Sequence, residues 1–218
     1  MTLQWFSENG INVNSAVGID EVGRGPLAGP VVAAAAWISK DLAKELESRS
    51  KDLPVRDSKK LSHKQRQKLL EWIGQQPISD VKYGIGYASV EEIDGINILK
   101  ATMLAMKRAY SALQNNGFSI NRPTILVDGN AIPDISGKSF DIRAVIKGDA
   151  KVLSISLASI IAKEYRDTIM VNLSKDFPQY GWQTNVGYGT KAHLDAIREF
   201  GITQHHRKSF APVRACVI

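Results

Sequence analysis

The sequence predicts an α/β fold built on a central mixed sheet. Short apolar runs bounded by Gly and Pro recur along the chain and read as strands. Longer stretches between them carry apolar residues at helical spacing. Strand-like and helix-like segments are intermixed along the chain, which favours one α/β core. A chain of 218 residues is long enough to bury roughly 70% of its unfolded surface without a disulfide or a structural metal.

The elements follow in order. Ala16 to Asp20 is short, apolar and β-compatible, and it runs straight into glycines. Val31 to Ile38 contains alanines that suit a helix, but Pro30 before it, its short length and its Val and Trp content favour a buried strand. Asp41 to Ser48 reads as a short helix. Ser62-His63-Lys64-Gln65 has capping-box spacing and opens a helix reaching about Gly74. Val81 to Val90 is strand-like, and Gly84 and Gly86 inside it predict a twisted or bulged strand. From Val90 to Asn115 the residues Ile96, Leu99, Met103, Met106, Tyr110 and Leu113 keep helical spacing and predict a core stripe. Thr124 to Asp128 is a buried-strand run ending at Gly129, and Ile142 to Ile146 is another short strand. Val152 to about Leu173 is a long helix whose Ser- and Ala-rich first half permits close packing on a sheet. His193 to Phe200 is a late helix stopped by Gly201.

Composition narrows the function classes. Hydrophobic residues make up 44% and charged residues 23%, which excludes disordered and fibrous proteins. The single cysteine, Cys216, allows no intrachain disulfide and points to a reducing compartment. No signal-peptide pattern opens the sequence. The longest charge-free apolar stretch, Gly25 to Ser39, holds two prolines and is too short to span a bilayer. A cytoplasmic protein without membrane partners, monomeric by default, is the expectation. The net charge of +6 and pI near 9.4 favour polyanions. Arg56, Lys59, Lys60, Lys64, Arg66 and Lys68 face Asp57 alone in one short stretch, and the region from Lys191 to Arg214 is basic too. Cys-x-x-Cys, His-Glu-x-x-His, Walker and Gly-x-Ser-x-Gly patterns are all missing. Gly23-Arg24-Gly25-Pro26-Leu27-Ala28-Gly29 imitates a dinucleotide fingerprint, but its last glycine is misplaced and a strand, not a helix, follows.

The acids carry the chemistry. Asp20-Glu21 ends the first strand, Asp128 ends another, and Asp149 lies in Lys147-Gly148-Asp149 just before the long helix. Acids abutting buried runs are costly unless paired, solvated or bound to metal. Strand ends of open α/β sheets line the ligand crevice. A carboxylate-only set suits Mg²⁺ or Mn²⁺, and two ions about 4 Å apart would hold attacking and leaving oxygens of a phosphodiester in line. Neighbouring strand residues point to opposite faces, so Asp20 and Glu21 share a site only if the strand kinks or Glu21 reaches in from the side.

Taken together, Gly18-Ile19-Asp20-Glu21-Val22-Gly23-Arg24-Gly25-Pro26-Leu27-Ala28-Gly29-Pro30, Asp57-Ser58-Lys59-Lys60-Leu61-Ser62, Val127-Asp128-Gly129-Asn130, Lys147-Gly148-Asp149, Ala158-Ser159-Ile160-Ile161-Ala162-Lys163, Gly187-Tyr188-Gly189-Thr190 and His205-His206-Arg207-Lys208-Ser209-Phe210-Ala211-Pro212-Val213 resemble the bacterial ribonuclease HII family. The likeness runs from about Ala16 to Val213, with the motifs in the family's order. It implies a ribonuclease H-like fold, with a mixed five-stranded sheet flanked by helices and a helical C-terminal segment. The whole chain, 1–218, is then one catalytic domain whose last part, from about 190, is helical segment and tail. The resemblance implies metal-dependent cleavage of RNA in RNA–DNA hybrids and on the 5′ side of single ribonucleotides in duplex DNA, leaving 3′-hydroxyl and 5′-phosphate ends. By motif match, Asp20, Glu21, Asp128 and Asp149 are the metal-binding and catalytic carboxylates, serving Mg²⁺ or Mn²⁺ with two ions during catalysis. Gly23, Arg24 and Gly25 match the ribose sensor, since glycine lets the backbone approach a 2′-hydroxyl. Tyr188 matches the tyrosine that reads the ribonucleotide–deoxyribonucleotide junction. Ser58, Lys59 and Lys60 match a phosphate-contacting loop, and Lys163 is a further phosphate candidate. His205 and His206 are read as shaping the tail. Gln183-Thr184-Asn185-Val186 and Ser156-Leu157 depart from the usual pattern without removing a catalytic position. A hybrid-only sibling and an inactive nucleic-acid-binding module stand as alternatives.

Overall fold

Residues 3–55, 60–135 and 141–216 are described by the computed structural model of the chain. Five strands form one sheet in the order β3-β2-β1-β4-β5. They are β1 (Ala16–Val22), β2 (Val31–Ile38), β3 (Val81–Ala88), β4 (Thr124–Asp128) and β5 (Asp141–Val145). β1 pairs antiparallel with β2 and β2 with β3, while β1–β4 and β4–β5 are parallel. The helices are α1 (Leu3–Glu8), α2 (Lys40–Ser48), α3 (His63–Gly74), α4 (Val90–Ile96), α5 (Ile98–Asn115), α6 (Leu153–Asp176), α7 (Trp182–Asn185), α8 (Lys191–Phe200) and α9 (Ala211–Arg214). The mixed five-stranded sheet and helical C-terminal segment read from the sequence are therefore present.

β2 explains why the sheet has helices on both faces. All eight of its residues are buried. Val32, Ala34, Ala36 and Ile38 join one core with α1, α2, α3 and α6, and Val31, Ala33, Ala35 and Trp37 join a second with α5. Small alanines in a central strand let both helices lie close. α6 approaches the sheet closely at Gly18 of β1. A Cβ there would stand 2.2 Å from Ile155 N and from Ser154 C in the first turn of α6. These are backbone atoms, so no rotamer change relieves the clash. Gly18→Ala is expected to destabilise the fold by at least about 2 kcal/mol, a fall of roughly 4–8 °C in Tm for a chain of this size. An unchanged thermal melt would refute this packing argument.

Two expectations need correction. β3 is not bulged at its glycines, because its register with β2 runs unbroken through Ala33↔Gly86 and Ala35↔Gly84. Gly84 and Gly86 serve packing instead, since a Cβ at either would strike the α5 backbone near Ala109. The helical stripe from Val90 to Asn115 is also interrupted. Asn97 takes a positive φ of 69°, ends α4 and caps α5 by accepting the amides of Leu99 and Lys100. Ile96 and Leu99 flank that break and are exposed, so the core stripe starts only in the body of α5. Spacing alone continues through a break that one left-handed residue introduces.

A third core lies beside the sheet. Leu27 and Ala28 pack with Met170 of α6 and with Tyr180, Trp182, Ile197 and Val213 of the C-terminal segment. This places the loop between β1 and β2 under the C-terminal helices.

Candidate active site

The parallel register sets the two central acids side by side. Ile19 pairs with Val127, so Asp20 and Asp128 follow as neighbours on strands about 4.8 Å apart. Both lie on the face covered by α6, because Gly18 meets Ile155 and Leu126 belongs to the α6-side core. Asp20 is 5% exposed. It accepts from the Glu21 amide at 2.7 Å and from the Ser159 hydroxyl of α6. Burial first, then the charges of Glu21 and Asp128, hold its carboxyl well above the ordinary range, against the opposing pull of those hydrogen bonds.

Asp149 arrives by a turn rather than a strand. Lys147 has a φ of 55°, and a 3₁₀ turn over Gly148–Ala150 follows β5. Asp128 Oδ1 accepts the amide of Gly148 at 2.6 Å and of Asp149 at 3.4 Å, which brings Asp149 against Asp128. Glu21 sits differently. β1 does not kink at this point, for its register with β2 continues through Asp20↔Ala34, Glu21↔Ala33 and Val22↔Val32. Glu21 therefore approaches from the side. Its carboxylate meets Arg24 Nη1 at 3.3 Å and is raised by burial and by Asp128, with Arg24 opposing. Asp20, Glu21 and Asp128 thus interact at the C-terminal end of β1 and β4, and the Asp149 backbone lies against Asp128. Among the described residues, no three His, Cys, Asp or Glu side chains are arranged to hold an ion.

Next to the acids, a loop is fixed by two buried arginines. Arg166 of α6 donates to the carbonyls of Pro30 (3.0 Å), Val186 (2.9 Å) and Ala28 (3.0 Å). Arg207 donates to those of Gly29 (2.9 Å), Arg24 (3.1 Å) and Gly23 (2.6 Å). Both are fully buried. Burial lowers them, to about 10 for Arg166 and about 9 for Arg207, so both stay charged at neutral pH. The backbone adds Leu27 N to Gly187 O at 2.7 Å, Arg207 N to Leu27 O at 2.8 Å and Gly29 N to His205 O at 2.9 Å. The two glycines of the Gly23-Arg24-Gly25 segment differ. Gly23 is buried with φ 93°, and a Cβ there would stand 2.2 Å from Arg166 Nε. Gly25 is exposed, and a Cβ on it would lie 3.5 Å from Tyr188 Cε1. Tyr188 is itself 45% exposed. Gly25 and Tyr188 therefore form an open glycine–tyrosine slot beside the acids.

The basic flank is partly described. Ser58 and Lys59 lie outside the described residues. Lys60 is exposed just before α3. The start of α3 is tied to α6, with Arg66 donating to Glu164 at 2.5 Å and to Leu61 O at 2.7 Å, and His63 Nδ1 standing 2.9 Å from Glu164. Lys163 is engaged with both Asp167 carboxylate oxygens at 2.6 Å, so contact with phosphate requires it to leave that pair.

Sequence reading missed Ser159, Arg166 and Arg207 as site-building residues, although two of them stood inside quoted motifs. A signal existed for Arg166, which falls at helical spacing between the buried Ala162 and Met170.

A mixed sheet with acids at its parallel strand ends, a glycine slot and a basic surface define a nuclease of ribonuclease H type. A family model described as Ribonuclease HII matches residues 17–213. The Ribonuclease HII of Pelagibacter ubique is 48% identical over 196 residues, 90% of this chain and 95% of that protein. The ribonuclease H2 of Pyrococcus horikoshii OT3 superposes with TM-score 0.69 at 26% identity, covering 92% of this chain and 96% of that one. Bst-RNase HIII in complex with Mn²⁺ shares the fold, with TM-score 0.73 at 21% identity over 94% of this chain and 70% of that one. The chain belongs to the ribonuclease HII family. It is an endoribonuclease with ribonuclease HII activity, and its family uses divalent metal. Among the described residues, no helix is long and apolar enough to cross a membrane.

Proposed function

We propose that this chain cuts the RNA strand of RNA–DNA hybrids and the 5′ side of single ribonucleotides in duplex DNA, leaving 3′-hydroxyl and 5′-phosphate ends. The observation that carries the reading is the adjacency of Asp20 and Asp128 beside the slot formed by Gly25 and Tyr188.

Asp20, Glu21, Asp128 and Asp149 would hold Mg²⁺ or Mn²⁺, as two ions during catalysis. The donor set fits hard divalent cations, being all carboxylate oxygen. The raised carboxyls of Asp20 and Glu21 fit too, because burial, with neighbouring carboxylates adding to it, disfavours the bare anions, and a cation relieves both. Binding asks Glu21 to give up Arg24, and Asp128 to share the oxygen now facing the Gly148 amide. When bound, such ions lower the pKa of water and neutralise charge on the phosphodiester.

The chain's own residues do the rest. Ser159 and the Glu21 amide hold the Asp20 carboxylate in a fixed direction. Gly25 leaves room for a sugar edge, where the 2′-hydroxyl marks RNA, and Arg24, freed from Glu21, faces the same space. The Tyr188 ring stacks on the sugar at the junction with the following deoxyribonucleotide. Lys60, with Ser58 and Lys59, steers backbone phosphate, and Lys163 does so only on leaving Asp167. A cytoplasmic site of action goes with this substrate.

The test is a duplex with one embedded ribonucleotide, incubated with Mg²⁺, with Mn²⁺ and with chelator. The expected result is a single cut 5′ of the ribonucleotide with either ion and none with chelator. Cleavage that survives chelation would overturn the metal reading. Cleavage of a long hybrid with the single-ribonucleotide duplex left intact would overturn the substrate reading in favour of a hybrid-only enzyme.

A further inference from the structure

Behind Tyr188 lies a buried pair of histidines that the proposed chemistry does not use. His193, in the first turn of α8, and His206, in the tail, are both fully buried. Their Nε2 atoms are 3.1 Å apart, so one hydrogen serves both. The partners decide which ring carries it. Trp182 Nε1, which can only donate, points at His193 Nε2 from 3.1 Å. His193 Nε2 is therefore the acceptor, and His206 Nε2 holds the hydrogen. His206 Nδ1 is correspondingly bare and accepts the Thr203 amide at 2.9 Å. His193 Nδ1 then carries the remaining hydrogen and donates to the Tyr188 carbonyl at 2.8 Å. The bonds run one way, from Thr203 through His206 and His193 to Tyr188.

The same tail grips the other half of the slot. Ala28 bridges His206. The next residue, Arg207, holds the carbonyls of Gly23, Arg24 and Gly29. Tyr188 is fixed from its own side by its amide N–H, which donates to Asn185 O at 2.9 Å, and by Thr190 N, which donates to its carbonyl at 2.8 Å, while its ring stays open. Tyr180 stacks on Trp182 and meets His206 edge-on, which closes the pair off.

We propose that His193 and His206 are positioning residues that set the spacing between the Tyr188 ring and the Gly23–Gly25 loop, and so the enzyme's selectivity for a ribonucleotide–deoxyribonucleotide junction. The proposal rests on reading Tyr188 as the residue that reads this junction. Two neutral rings suit the task because each offers one donor and one acceptor in fixed directions. Burial lowers both, His206 to about 4, so the chain of bonds stays neutral at physiological pH.

The experiment measures kcat and KM on a duplex with a single ribonucleotide and on a long RNA–DNA hybrid. His193→Ala, His193→Asn and His193→Gln are compared with Tyr188→Ala. Asn places an amide N–H near the position of Nδ1 and keeps the bond to Tyr188, whereas Gln places its amide further out. His193→Ala and His193→Gln are expected to lower kcat/KM on the single-ribonucleotide duplex at least about tenfold, since a displacement near 1 Å can cost up to about 100-fold. The loss on the hybrid, which has no such junction, is expected to be smaller, and His193→Asn is expected to recover most of the activity. Equal losses on both substrates, or Asn and Gln variants that behave alike, would overturn the proposal. If His193→Ala does not fold, the Asn and Gln pair decides. Tyr188→Ala separates the two claims. If it leaves the substrate ratio unchanged, the reading of Tyr188 fails. If it changes the ratio while His193→Gln does not, the positioning role alone fails.

Discussion

Replacing Asp20 by Asn is expected to lower kcat/KM by at least about 10³-fold, close to 4 kcal/mol of barrier, while making the metal-free protein more stable. Both effects come from one buried group. Asn keeps the shape of the side chain but removes the charge that would hold a cation against the phosphodiester. The same charge costs stability when no cation is present. Asp20 is buried, and burial together with Glu21 and Asp128 raises its carboxyl. A raised acid stabilises the fold where it is protonated in both states. That contribution is lost as pH rises through the folded-state value. At neutral pH the wild type therefore carries a penalty that the Asn variant does not. The Tm of Asp20→Asn should exceed that of the wild type by at least about 2 °C in chelator, where 1 kcal/mol is worth roughly 2–4 °C for this size. The gap should close as the pH falls to about 4, where the unfolded carboxyl also becomes neutral. Adding Mg²⁺ or Mn²⁺ should raise the wild-type Tm more than that of the variant. Wild-type cleavage by the variant, or a variant that melts lower in chelator, would remove Asp20 from the centre of the site.

Arg207→Met is expected to be among the most damaging substitutions outside the acids. Arg207 is fully buried and its guanidinium satisfies three backbone carbonyls within the Gly23–Gly29 loop. Met fills much of the volume but donates nothing. A buried acceptor left unpaired costs about 1–3 kcal/mol, so the three left here cost at least about 3 kcal/mol in all. The Tm should fall by roughly 6–20 °C. Activity on a single-ribonucleotide duplex should fall about 100-fold even at temperatures where the variant is folded, because the loop beside the acids loses its fixed place. Arg207→Lys should restore little, since one ammonium cannot span the same set of carbonyls. Full activity in the Lys variant would show that the loop holds itself.

How much of this could be read in advance varies from residue to residue. Asp20 and Asp128 were legible because each closes an apolar run next to a glycine, and the parallel register then makes them neighbours. Asp149 was legible as an acid in a turn, but its approach to Asp128 depends on two backbone amides that no spacing rule anticipates. Ser62 and Gln65 declared their capping box, which the structure contains. Asn97 did not declare itself, because apolar spacing continues across the left-handed residue that splits α4 from α5. The glycines of β3 signalled something unusual, yet the cause was the closeness of α5 and not a bulge.

Local order along the chain determined which segments are strands and helices, which faces are apolar and which acids stand at strand ends. Those properties depend on neighbours within a few residues, where side-chain period and backbone preference act. Tertiary structure alone decided that Arg207 grips a loop 178 residues away, that Ser159 steadies Asp20 and that two histidines on separate elements share one hydrogen behind Tyr188. Such pairings belong to no local pattern. They arise when burial removes water and each polar group left inside must find its partner wherever the packed chain supplies one.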